Sequence, residues 1–181
     1  MSWEDDLFAV LDDLEQQAES LFDGERGVEL LDRSRAEYAT VTLASRLMAS
    51  LGRELALDVR GVGRVAGRLE RVATGWCLVA GPGQDWLVRS GAISTVVGAS
   101  ERAVPEVAWS PVARLGLGSA VRRLADAGEP CRVHLLDGRC HELVPTRVGQ
   151  DFVEGRSGAT SLLVALDSVA AVQSRRDELS G

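Results

Sequence analysis

The sequence predicts an α+β protein in which N-terminal helices are followed by two tandem five-stranded small β-barrels, each preceded by a helix. Three observations carry this expectation. Apolar residues recur at helical spacing up to residue 51 and again over 111–127. Between and after those stretches the spacing falls to two, in short runs separated by glycines. The two strand regions also align on each other with one constant offset of 76 residues.

At 181 residues the chain is long enough for one large domain or two small ones. The expected divisions are an acidic arm at 1–26, a helix with the first barrel at 27–104, a helix with the second barrel at 105–173, and a polar tail at 174–181. Residues 1–30 hold ten acids and one Arg, whereas the remainder holds seventeen acids and nineteen Arg. The formal charge of −7 is therefore set by the arm, and the near-neutral body lacks the basic footprint of a nucleic-acid binder. No stretch approaches the roughly 18 apolar residues of a membrane span. The N-terminus opens on Glu4, Asp5 and Asp6, unlike a secretory signal. Cys77, Cys131 and Cys140 are odd in number and form no CxxC, so reduced thiols and a cytoplasmic location are expected.

In the arm, Leu7, Leu11, Leu14, Ala18 and Leu21 form an apolar helical stripe with acids opposite. Such a helix is too short to stand alone, so its stripe must dock on its own body or on a second chain. A second helix is expected over about 27–51, with Tyr38, Val41, Ala44, Met48 and Leu51 on one face and Gly52 as its stop. Leu55, Leu57 and Val59 then alternate with polar or small residues as a half-buried strand. Strands follow at 64–72, 75–79, 86–88 and 93–97. Ser110-Pro111 opens a third helix that Gly128 closes, with Gly116 and Gly118 weakening its middle. Strands return at 132–136, 139–144, 151–154, 161–165 and 169–172, the first two joined by the tight turn Asp137-Gly138.

The offset places Arg71-Val72 on Arg147-Val148, Trp76 on Phe152, Leu87-Val88 on Leu163-Val164, and Ile93 and Val96 on Val169 and Val172. The first copy reads Leu57, Gly61, Gly67-Arg68-Leu69, Val72 and Trp76; the second reads Val133, Gly138, Val148 and Asp151-Phe152. These spacings resemble the first motif of the Sm-like fold, an SH3-like small barrel, over about 55–97 and 131–172. The resemblance implies the two barrels. The residues with which Sm proteins hold RNA are mostly missing: the chain has no Asn, and neither Ser94-Thr95-Val96-Val97 nor Ala170-Ala171-Val172-Gln173 is a cationic phosphate site. The whole chain is also similar to an uncharacterised actinobacterial group sometimes labelled Fis-family transcriptional regulator. A Fis-type binder needs a C-terminal helix-turn-helix, and the strand pattern here gives that label no support.

Few residues suggest chemistry. Cys131, His134, Cys140 and His141 are of zinc-ligating type, yet strand alternation sends Cys140 and His141 to opposite faces, and no metal is expected. Cys131 or Cys140 with a histidine lacks the third orienting group of a nucleophilic site. Gly61-Val62-Gly63 and Gly81-Pro82-Gly83 lack the strand-to-helix setting of a phosphate loop, so no cofactor is implied. Trp76 and Trp86 are expected to flank the hairpin tip at 81–83, capping a core or forming a recognition surface. With Leu7, Leu11 and Leu14 they are the candidate partner-binding residues. Arg114, Arg122, Arg123, Arg132 and Arg139 form the candidate anion or nucleic-acid contact, which the acidic arm is equally able to meet.

These readings favour a non-enzymatic protein that binds itself or another protein through its acidic helix and its strand edges. The alternative is an RNA-binding regulator whose acidic arm is autoinhibitory. The first expects loss of the arm to dissolve an assembly; the second expects it to raise a salt-sensitive affinity for RNA.

Overall fold

The computed structural model describes residues 35, 36 and 38–175; the acidic segment with Leu7, Leu11 and Leu14 lies outside the described residues. The chain divides into two compact units, 1–41 and 42–181, and every described strand belongs to the second. Its first helix, α1 (Leu43–Met48), starts at a reciprocal cap in which the Thr42 side chain accepts from the Ser45 N–H and the Ser45 side chain accepts from the Thr42 N–H, both at 3.1 Å. The β-branched run Thr40-Val41-Thr42 disfavours helix, and the continuous helix expected over 27–51 is broken there.

Five strands follow: β1 (Glu54–Val59), β2 (Gly63–Ala73), β3 (Trp76–Gly81), β4 (Gln84–Arg89) and β5 (Ile93–Val97). The helix expected over 111–127 is also divided. Ser110 caps a single 3-10 turn at Pro111–Arg114, and α2 (Leu117–Ala127) begins afresh after Gly116, ending at left-handed Gly128. Gly116 thus lies at a helix start rather than in a helix interior. Then come β6 (Cys131–Leu135), β7 (Cys140–Val148), β8 (Phe152–Ser157), β9 (Thr160–Ala165) and β10 (Val169–Arg175).

The two closed barrels expected from the sequence do not form. All ten strands of the described residues join one antiparallel sheet in the order β5-β1-β2-β3-β4-β10-β6-β7-β8-β9. Closing a five-stranded set requires its two outer strands to turn on each other. Here β4 pairs instead with β10 of the other set, and among the described residues β5 and β9 remain as outer strands. The reason lies in residues that the sequence pattern treated as ordinary barrel strands. Val169, Ala170, Ala171 and Val172 are all buried, as are Leu87 and Val88. A strand buried on both faces reads as a continuous apolar run, and it belongs in the middle of a covered sheet.

Two apolar clusters cover the faces, and the central strands serve both. One joins Leu47 of α1 to Leu57, Leu69, Val79 and Val88, and it also takes Ala170 and Ala171 from β10. The other joins Val121 of α2 to Val133, Leu143, Val153 and Val164, and it takes Trp76 and Leu87 from the first five strands. Each set of strands therefore completes its core with residues of the other.

The offset of 76 is visible in the elements themselves. It carries Gln84–Arg89 onto Thr160–Ala165 and the 3-10 turn Ser90–Ala92 onto Leu166–Ser168. It also carries the bulge at Glu70 in β2 onto the bulge at Thr146 in β7.

Candidate interaction surfaces

The junction of the two sets is the best-built polar feature of the sheet. Along it Val88 lies opposite Ala171, Leu87 opposite Val172, and Trp86 opposite Gln173. Gln84 on β4 accepts from the Gln173 side-chain amide on β10, and the Gln173 carbonyl oxygen lies 3.2 Å from Nε2 of His134 on β6. The His134 ring packs on Trp86 with centroids 5.4 Å apart and planes tilted by 39°. At the far end of β4, Arg89 pairs with Asp167 at 2.9 Å in the turn before β10.

Trp76 and Trp86 do not flank the hairpin tip together. Trp76 opposes Arg89 at the end of β3 away from the tip, and Trp86 opposes Val79 nearer to it. They face opposite sides of the sheet, Trp86 toward the α1 cluster and Trp76 toward the α2 cluster. Trp76 is only 7% exposed, and its indole N–H donates to the Leu115 carbonyl at 2.8 Å. Beside it a cavity of about 300 Å³ is lined by Leu78, Leu87, Leu115, Leu124 and the stem of Arg123. Both tryptophans are thus packing residues rather than an exposed platform.

The arginines are not gathered into one free patch. Arg132 pairs with Glu142 across β6 and β7, and Arg139 pairs with Asp137 in the adjoining turn at 2.7 Å. The Arg139 hydrogen bond holds the Asp137 carboxyl below its ordinary range. Arg114, Arg122 and Arg123 are exposed on the segment around α2.

The cysteine and histidine set does not converge either. Cys131 faces the core with Val133, whereas His134 and Cys140 face each other on the opposite side at 4.0 Å between Nε2 and Sγ. Among the described residues no three potential metal ligands come together. Burial pushes the Cys77 thiol up to about 12 and the Cys131 thiol to about 11. Burial also raises Cys140, with Glu142 raising it further and Arg132 opposing. A raised thiol is a weaker nucleophile at neutral pH because the thiolate is the reactive form. Cys140, the exposed cysteine, is therefore expected to alkylate with iodoacetamide at pH 7.5 more slowly than an unperturbed thiol, the rate climbing with pH. Glu142→Gln removes a raising charge and is expected to speed the reaction, while Arg132→Ala is expected to slow it. Equal rates for all three proteins would refute this account of the site.

The sequence pattern located strands at 93–97 and 161–165 but not their place at the ends of the sheet. Ile93–Val97 and Thr160–Ala165 contain no charge and no proline, the usual protections of a sheet edge. Val97 is 57% exposed on one edge and Leu163 is 64% exposed on the other. Phe152, beside Leu163's strand, is 37% exposed. The signal was in the repeat: offset by 76, Leu163 corresponds to Leu87 and Phe152 to Trp76, both buried in the α2 cluster.

No helix among the described residues is long and apolar enough to cross a membrane. No protein-family model matches the chain, and no curated protein matches it.

Proposed function

We propose that this protein is a non-enzymatic, self-associating interaction protein of the cytoplasm, whose contacts are its two open sheet edges and its acidic N-terminal segment. The observation that supports this most is the pair of uncharged outer strands with Val97 and Leu163 exposed on them. An uncharged edge is a ready template for another strand, and soluble proteins usually blunt such edges unless they use them. The free thiols Cys77, Cys131 and Cys140 suit a reducing compartment. The pairing of Arg132 and Arg139 with carboxylates of their own hairpin lowers the free positive charge on which an RNA contact would draw.

Light-scattering mass of the full chain, and of a version lacking residues 1–25, tests the proposal, each with and without bulk RNA. The expected result for the full chain is a multiple of the 19.3 kDa chain mass that ignores RNA and salt, and that falls when residues 1–25 are removed. A single-chain mass at every concentration would refute it. A truncated protein that gathers RNA in low salt and releases it in high salt would replace it with the RNA-binding regulator.

A further inference from the structure

Resting on that reading, we infer that β9 of one copy pairs antiparallel with β5 of a second copy, reproducing between chains the β4–β10 junction found within the chain. The sheet runs from one outer strand to the other, and its middle joint unites the fourth strand of the first set with the fifth strand of the second. The outer strands are the remaining members of the same two classes: β9 is the counterpart of β4, and β5 of β10. One end of the molecule thus repeats one side of an existing joint, and the other end repeats the other side.

The exposed apolar residues fall where this joint needs them. Leu87 and Trp76 are 6% and 7% exposed because they pack into the α2 cluster that the second set brings to the junction, while their counterparts Leu163 and Phe152 stand open at 64% and 37%. Carrying the register Val88↔Ala171, Leu87↔Val172 and Trp86↔Gln173 onto the edges places Val164 opposite Thr95, Leu163 opposite Val96, and Leu162 opposite Val97. The intermolecular joint is more apolar than the internal one at the third of these positions, where Leu162 and Val97 replace Trp86 and Gln173. It lacks the Arg89–Asp167 ion pair, whose counterparts are Ala165 and Gly91. A joint of this kind uses different surfaces on its two partners, so it adds copies head to tail and closes into a ring when the rotation per copy allows.

The test uses the full chain in a Cys140→Ser background. Protein carrying Val97→Cys is mixed with protein carrying Leu162→Cys and oxidised, because directly opposed residues bring Cβ atoms within about 4.5–5.5 Å. A disulfide-linked pair of chains is expected from the mixture. The off-register mixture of Val97→Cys with Ser161→Cys is expected to give little. Separately, Leu163→Lys places a charge at an exposed edge position that the single chain tolerates. It is expected to weaken self-association roughly tenfold or more, by burying an unpaired ammonium in an apolar joint. Equal linkage of both mixtures, or no linkage in either, overturns the joint. A wild-type assembly that Leu163→Lys leaves intact overturns it too, while sparing self-association itself. A wild-type chain that never exceeds 19.3 kDa removes both.

Discussion

Trp76→Ala is expected to destabilise the protein by about 3–5 kcal/mol, the range for truncating a large buried aromatic to a methyl. The side chain is almost completely buried, and it sits in the cluster built on α2 although it belongs to β3 of the first set. Its removal also leaves the Leu115 carbonyl without the indole N–H that donates to it at 2.8 Å. Trp76→Phe separates the two contributions: most of the apolar contact stays and the hydrogen bond goes, so a cost of about 1 kcal/mol is expected beyond the loss of ring volume. Because β4 and β10 serve both clusters, the damage should not stay local. Urea unfolding followed by far-UV circular dichroism and by tryptophan fluorescence is expected to give coincident transitions in the wild type and in both variants. Two separated transitions, with only one shifted by Trp76→Ala, would show that the five-stranded sets fold independently and that the shared cores matter little.

How much of this architecture was legible follows from what a sequence pattern measures. Period-two alternation in Glu54–Val59 located β1 at its observed bounds, and the offset of 76 placed the two sets in correspondence before any strand was seen. Alternation records which side of a strand is buried, but it does not record which strand lies beside it. The β4–β10 pairing was therefore invisible, even though its mark, the unbroken apolar run Val169–Val172, is plain in the chain. The same gap explains Trp76 and Trp86. Their positions near one hairpin suggested a shared surface, whereas the strand parity of β3 and β4 puts them on opposite faces. The arginines were legible as residues but not as charges, because the partners of Arg132 and Arg139 are set by hairpin register. The open edges were the least legible feature. An edge is defined by the neighbour a strand lacks, and Leu163 reads in sequence like its buried counterpart Leu87.

Gly61→Ala is expected to cost about 3 kcal/mol, and Gly75→Ala about 1 kcal/mol, although both glycines hold left-handed backbone with φ of +75° and +82°. The left-handed conformation alone accounts for about 1–2 kcal/mol at either site. They differ in what a side chain would meet. A methyl on Gly75 points into open space, with no atom within 4 Å. A methyl on Gly61 overlaps the carbonyl oxygen of Leu135, so the turn between β1 and β2 would have to move away from the end of β6. Backbone on both sides leaves no flexible side chain to yield, and overpacking of this kind costs about 1–3 kcal/mol more. The difference between the two variants, read from urea midpoints at a common slope, thus measures how tightly the first five strands are seated against the second. Equal losses would mean that the turn yields freely and that the β4–β10 pairing holds the two sets together without this second contact. A larger loss at Gly61 would make the turn a second fastening beside the paired strands, as the approach of its backbone to Leu135 and Leu136 implies.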